Sequence, residues 1–410
     1  MTLSVEEYLD QVLALVQPCP VEQRDPADCA ELVTAEEVCA VLPVPAFTNS
    51  AMDGFAVRAA DLMDAPTRLP VSADIPAGVV PHPLQSGTAA RIMTGAMLPG
   101  GADAVVRVED TDQLPGSGVL PDSVEVRRLP QTGLNVRLAG EDMQPGDVVV
   151  PGCHVLDAAA IAAATAVGCR QIRVHRAPRV AVLTTGSELA DPQATPQPGQ
   201  IPDSNGPMLE QLMRQFGADV TWRGRVADEP DQARRRLEEL AGQVDLLITA
   251  GGISAGAYEV VKLATEPLGA QYVRVAMQPG GPQGCGVLSL DGGRLALLAF
   301  PGNPVSVFVS FHQFARPLLA RLRGLDVQGV PAIDYLPAGT QWPSPGTKRQ
   351  YLPVRMEPDG GIVPSASLGS GSHLIASLPK ADALAIVPEG IDRVTPGMRL
   401  AVIRIRGGRP

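Results

Sequence analysis

The chain has 410 residues, 45% hydrophobic and 19% charged, enough to bury several separate cores. Its 33 basic and 44 acidic residues leave a net charge of −11, which argues against a general nucleic-acid or membrane-surface binder but allows a local basic pocket for a small anion. Six cysteines without a C-x-x-C pair, and histidines too scattered to join them, exclude a zinc-site or disulfide-scaffold reading; reduced thiols, mostly packing residues, are expected.

The opening stretch, MTLSVEEYLDQVLALVQP, predicts an amphipathic helix. Ser4 and Glu7 have capping-box spacing, and Val5, Tyr8, Leu9, Val12 and Val16 share one face. There is no basic n-region of a secretory signal and no apolar run long enough to span a bilayer, so a soluble, cytoplasmic protein is expected. Residues 1–19 read as a helix packed on the substrate-binding domain. Residues 20–43 and 139–172 read as a connecting domain, its Ala-rich helix capped by Asp157 and ended by Gly168. Residues 44–138 hold short β-like runs and many Pro and Gly turns, which predicts an inserted β-rich module.

Residues 173–325 alternate apolar strands with helical patterns, the signature of an α/β domain built on a parallel sheet covered on both faces. One helix is expected after Ser204, as N-cap, with Gly217 as its stop. Residues 326–410 predict a β-barrel-like unit with strands in QYLPVRM, ALAIVPEG and RLAVIRIRG. The fold class is therefore a multi-domain α/β chain with β-rich modules, elongated.

Ligands collect at the carboxyl ends of parallel strands. Three strand-end loops carry unusual residues: TTGSEL, TAGGISAG and FPGNPVS. Gly251 and Gly252 permit close backbone approach, and Ser254 can donate to a phosphate oxygen. Asn303 suits an N-cap and Pro304 the first helical turn, leaving unpaired N–H groups for an anion. The lysine of a nucleotide P-loop is absent, so a monophosphate or small anion fits better than a triphosphate. Asp53, Glu188, Asp228 and Glu259 stand beside glycines or at strand ends, where carboxylates can hold Mg²⁺; any one alone reads equally as a solvated or capping acid.

Together with NSAMDGFAVR, RIMTGAMLPGGADAVV, NVRLAGEDMQPGDVV, DSN, MQPGGPQGCG and GSGSHL, these loops resemble the molybdopterin molybdenumtransferase family, the bacterial MoeA type, similar to the E domain of gephyrin. The resemblance spans almost the whole chain. It implies a four-domain homodimer that inserts molybdate into adenylylated molybdopterin and releases AMP with the help of Mg²⁺. It implies catalytic roles for Asp53, Thr94, Glu188, Asp228 and Glu259, with Asp53 and Thr94 supplied by the other subunit and Asp228 and Glu259 serving the metal. Substrate contacts would fall to Ser187, Asp203, Asn205, Gly251, Gly252, Ser254, Arg274, Gln278, Pro301, Gly302 and Asn303. Lys348, Arg349 and Ser372 would hold molybdate.

Two departures stand out. Glu259 replaces the family's common Asp, which keeps the carboxylate but moves its oxygens. Where the family commonly has K-P-G-K-P, this chain reads Gln278-Pro279-Gly280-Gly281-Pro282, so two cations are missing from a site that handles two anions. A dry-site contact of that kind is worth about 2–4 kcal/mol. Arg274 is the nearest substitute in sequence. The loss leaves a second reading open, a paralogue that binds molybdopterin with weak or no metal insertion, and a third, a scaffold.

Overall fold

Uninterrupted apolar runs make strands that must be covered on both faces. The computed structural model describes residues 2–116, 118–191, 193–227, 229–253, 259–366 and 371–405, and in it Arg179–Thr185, Leu246–Ala250 and Gly293–Phe300 are almost wholly buried. They lie inside a seven-stranded sheet whose order is Thr2–Leu3, Gln271–Val275, Pro282–Leu290, Gly293–Phe300, Leu246–Ala250, Arg179–Thr185, Asp219–Val226. The last four strands run parallel, as expected. One strand is reversed: Pro282–Leu290 pairs antiparallel with both of its neighbours. Only Asp291 and Gly292 join it to Gly293–Phe300, and a link that short makes a hairpin, not a crossover.

One face of the sheet is covered by Pro230–Leu240 and Val260–Thr265, the other by Asn205–Gln215, the N-terminal helix and the long helix from Pro304 to Leu322. The N-terminal helix Val5–Leu13 starts at the predicted capping box: the Glu7 amide donates to Ser4 Oγ at 3.1 Å, and the Ser4 amide to Glu7 Oε2 at 2.8 Å. Val5, Tyr8 and Val12 are buried, with the Tyr8 ring edge-on to Phe314 at 4.8 Å. Ahead of the helix, Thr2–Leu3 adds a parallel strand beside Arg274 and Val275.

Segments from both sides of the inserted module pair with each other. Ile172–His175 lies between Val21–Arg24 and Val33–Thr34, and Val38–Cys39 pairs with Val148–Val150. Asp157 caps Ala158–Ala166 by accepting from the Ala160 amide at 2.9 Å, and Gly168 follows at φ 79°. The inserted segment forms a five-stranded sheet in the order Ser123–Val126, Thr67–Ile75, Ala89–Ile92, Gly54–Val57, Ala104–Arg107. The C-terminal segment contributes Arg349–Met356, Ala383–Val387, Arg399–Arg404 and Ile333–Pro337 to a sheet that also takes in Met277–Gln278. No helix among the described residues is long and apolar enough to cross a membrane. The six cysteines are free; Cys19, Cys29 and Cys285 are buried, but Cys39 and Cys153 are exposed and are not packing residues.

The long helix is interrupted by a π-helical turn, Phe311–Ala315. His312 in that turn is fully buried among the rings of Phe308, Phe311 and Phe216, and neither ring nitrogen has a hydrogen-bond partner among the described residues. Burial, reinforced by the Arg316 guanidinium, pushes its pKa down to about 3. The folded chain therefore holds His312 neutral, whereas the unfolded chain protonates it near its ordinary value of about 6.5. Its contribution is complete above about pH 6.5 and is lost as pH falls toward 3. Urea midpoints of His312→Leu should thus show a shallower acid limb than the parent, by a slope approaching about 1.4 kcal/mol per pH unit. Parallel acid limbs would rule out His312 as a source of acid sensitivity.

Candidate active site

Four segments converge at the carboxyl ends of the parallel strands and enclose a cavity of about 1240 Å³. That exceeds the roughly 300–1,000 Å³ of an ordinary small-molecule site and suits an extended ligand. The first wall follows Arg179–Thr185 and brings Thr185, Gly186, Ser187 and Glu188. The second follows Leu246–Ala250 and brings Gly251, Gly252 and, at the start of the next helix, Glu259. The third follows Gly293–Phe300 and brings Pro301, Gly302 and Asn303. The fourth comprises Arg274, the 277–282 turn, Lys348 and residues 371–373.

Backbone closeness sets this geometry. Gly251 has φ 96°, and a Cβ there would lie 2.5 Å from the Thr185 carbonyl oxygen. Gly252 has φ 67°, and its Cβ would lie 2.8 Å from Thr185 Oγ1. The Gly251 amide donates to the Phe300 carbonyl at 3.0 Å, which ties the second loop to the third. Asn205 Nδ2 donates to the Gly302 carbonyl at 2.7 Å, so the first helical residue after the DSN turn holds the third loop. Asn303 stands at the N-cap of Pro304–Ser310, but its side chain caps nothing; Nδ2 donates to Ser372 Oγ at 3.0 Å. The Val305 amide donates to the Ser372 carbonyl at 3.2 Å, so the C-terminal segment seats itself on that helix start.

Of the predicted site residues, Ser187, Glu188, Asn205, Gly251, Gly252, Glu259, Arg274, Gln278, Pro301, Gly302, Asn303, Lys348 and Ser372 line this one cavity. Asp203 does not. It is buried beneath the floor, accepting from Thr184 Oγ1 at 2.8 Å and from the Gly206 amide at 3.0 Å. It thereby caps the helix Asn205–Gln215, the task expected of Ser204, whose own side chain makes no cap bond. Arg349 does not line the cavity either. It starts the strand Arg349–Met356, where successive side chains point to opposite faces, so Lys348 faces the cavity and Arg349 turns to Glu6 of the N-terminal helix. Burial works against the Arg349 charge, but the Glu6 hydrogen bond and Tyr351 more than offset it and raise its pKa. Burial likewise opposes ionisation of Glu6, and Arg349 overcomes it and lowers that pKa.

Asp53 and Thr94 lie in a different cavity, of about 490 Å³, in the inserted module. There Asp53 Oδ1 accepts from the Thr94 amide at 2.6 Å and from Thr94 Oγ1 at 2.9 Å. The two cavities share no lining residue. Asp228 and Ser254 lie outside the described residues. Thr185 and His373 also line the main cavity; sequence reasoning passed over both, although TTGSEL and GSGSHL contain them. Thr185 Oγ1 and Asn205 Oδ1 are buried with no partner among the described residues, two polar atoms that a ligand can satisfy.

Known proteins match this chain along nearly its whole length. Residues 3–168 match the MoeA N-terminal region (domain I and II), residues 181–321 the probable molybdopterin binding domain, and residues 335–405 the MoeA C-terminal region (domain IV). Molybdopterin molybdenumtransferase 2 of Mycobacterium tuberculosis is 39% identical, over 97% of this chain and 98% of its own. The chain belongs to the MoeA family. Molybdopterin molybdenumtransferase of a Nostoc species is 34% identical over 91% of this chain and 86% of its own. The crystal structure of the molybdopterin biosynthesis MoeA protein from Pyrococcus horikosii aligns with a TM-score of 0.83 and 29% identity, covering 100% of both chains. The cavity of this MoeA-family chain lies mainly within the segment matching the molybdopterin binding domain, and Lys348 and residues 371–373 come from the segment matching the C-terminal region.

Two glycines separate backbone need from mere proximity. Gly251→Ala forces a left-handed non-glycine residue, worth about 1–2 kcal/mol, and adds a backbone clash. At Gly302 the nearest atom to a new Cβ, the Gly251 Cα, is 3.6 Å away, an ordinary contact. Urea unfolding should show Gly251→Ala destabilised by at least about 1–2 kcal/mol and Gly302→Ala near the parent. Equal stability of the two variants would count against the loop geometry.

Proposed function

We propose that this chain inserts molybdate into adenylylated molybdopterin and releases AMP, working as a cytoplasmic homodimer with Mg²⁺. The observation that carries the reading is the junction of two chemistries in one cavity. Three strand-end loops rich in glycine and small side chains line the cavity where we place a phosphate-bearing ligand, and the C-terminal segment brings Lys348 into that cavity and seats Ser372 on the start of the helix Pro304–Ser310. The 39% identical relative bears the name of this activity.

In this reading the glycine loops hold the substrate's phosphates by backbone N–H groups. Thr185 Oγ1 and Asn205 Oδ1 complete polar contacts with the pterin-bearing ligand. Lys348, Ser372 and Arg274 hold the oxyanion. Mg²⁺ typically binds one or two carboxylates and fills its remaining positions with water and substrate phosphate oxygens. Glu188 and Glu259 both line the cavity, and two carboxylates are a donor set of that kind. When bound, the ion neutralises charge at the pyrophosphate that is cleaved.

Gly281 decides how strongly molybdate is held. Its φ is not in the left-handed region, and a Cβ there would meet only the carbonyls of Met277 and Val275 at 3.4 and 3.5 Å. A side chain can therefore start at this position without backbone strain or a Cβ clash. The test is molybdate-dependent AMP release from adenylylated molybdopterin by the purified chain. Gly281→Lys should fold like the parent and lower the molybdate KM on the order of tenfold, the effect of about 1.4 kcal/mol. An unchanged KM would assign the cation role to Arg274. Tight binding of adenylylated molybdopterin without molybdate-dependent release would favour the non-inserting paralogue, the reading that Gln278 and Gly281 support.

The separate placement of Asp53 and Thr94 supports a site completed by a second subunit. Asp53→Ala and Glu188→Ala chains, each inactive alone, should regain activity when mixed into verified heterodimers, up to about a quarter to a half of the parent if subunits pair freely. Heterodimers that stay inactive would remove the composite site.

A further inference from the structure

We infer that Cys39 and Cys169 form a thiol pair that small disulfide oxidants close into an intramolecular disulfide at the root of the inserted module. The two residues are 130 positions apart in sequence, yet Cys169 Sγ lies 3.3 Å from the carbonyl oxygen of Cys39. The backbones are locked side by side: the amides of Val41 and Leu42 both donate to the Val167 carbonyl, at 3.0 and 2.8 Å. A disulfide needs Cα atoms roughly 4.4–6.8 Å apart, and a Cys169 Sγ that touches the Cys39 carbonyl makes the two residues immediate neighbours. Cys39 is exposed and Cys169 half-buried, so an oxidant can reach the first and rotation of one side chain can bring in the second. Burial, and then the neighbouring Cys39, raises the Cys169 thiol above its ordinary value, which makes Cys39 the point of entry.

The chemistry balances. The Cys39 thiolate attacks one sulfur of a low-molecular-weight disulfide, breaking its S–S bond and expelling one thiolate. Cys169 gives its proton to solvent, and its thiolate attacks Cys39 Sγ, expelling the second thiolate. Two protein thiols are oxidised and one small disulfide is reduced to two thiols.

The place matters because the chain crosses it twice. Val38–Cys39 leads toward the inserted module and pairs with Val148–Val150 on the way back, while the Ala40 amide donates to Asp147 and the Gly146 amide to Ala40. A covalent bond from Cys39 to the segment just after the helix Ala158–Ala166 fixes that root to the connecting domain.

The experiment incubates the full chain with oxidised glutathione, blocks free thiols, and maps peptides by mass spectrometry without reduction. A Cys39–Cys169 linked peptide is expected, lost in Cys39→Ser and in Cys169→Ser, kept in Cys153→Ser, and reversed by dithiothreitol. In Cys169→Ser, glutathione should remain on Cys39. Glutathione stably bound to Cys39 in the parent without closure, or closure involving Cys153, would overturn the inference. Because the readout is the linked peptide, it stands or falls independently of the metal-insertion reading.

Discussion

Everything in the main cavity depends on the first two strand-end loops meeting at distances that admit no Cβ. Gly251 and Gly252 pass against Thr185 in left-handed conformations, and Gly251 bonds to the end of the neighbouring strand. Because the loops grow from three parallel neighbours, their spacing is set by the sheet, and the glycines let the backbones of the first two close on each other. Side chains then need to supply little. Asn205 and Asn303 spend their amides holding the third loop and the C-terminal segment in place.

The second dependency runs through the chain's first residues. Thr2–Leu3 pairs with the strand that carries Arg274, and the Ala276 amide donates to the Leu3 carbonyl. The Arg349 amide then donates to the Ala276 carbonyl, so three segments form one ladder that delivers both Arg274 and Lys348 to the cavity. Glu6 and Arg349 add an ion pair to that ladder. With the Glu6 side chain 63% exposed, such a pair contributes roughly 0–1 kcal/mol. The burial of Tyr8 and Val12 beneath the long helix stabilises more, by about 1.5–3 kcal/mol for each large apolar side chain. The ion pair sets register more than stability.

Legibility in the sequence followed the range of the interaction. The capping box at Ser4 and Glu7, the Asp157 cap and the strand-end loops are local, so propensity and spacing revealed them. What failed was non-local. The reversal of Pro282–Leu290 within the domain read as a parallel sheet was missed because periodicity does not encode direction; the two-residue link to Gly293 does. Arg349 sat beside Lys348 in a basic dipeptide, and a one-residue step on a strand sent it to the far face. Asp203 and Ser204 exchanged roles because a carboxylate reaches both the Gly206 amide and Thr184, which no hydroxyl at the next position does. Cys39 and Cys169 passed as packing residues since nothing in their spacing shows that they meet.

The charge pattern of the cavity constrains what the site can hold. Among its lining residues, Arg274 and Lys348 are offset by Glu188 and Glu259, so protein side chains alone leave the site near neutral apart from His373. A ligand that brings phosphates and an oxyanion would face two carboxylates across a half-enclosed space, where low dielectric amplifies repulsion. In the proposed reaction, the balance would come from backbone amides, whose partial charges need no counter-ion, and from a divalent cation that Glu188 and Glu259 would hold and that would supply positive charge. On this reasoning the two carboxylates and the uncharged Gln278 and Gly281 are linked: with few side-chain cations, the proposed reaction would lean harder on Mg²⁺.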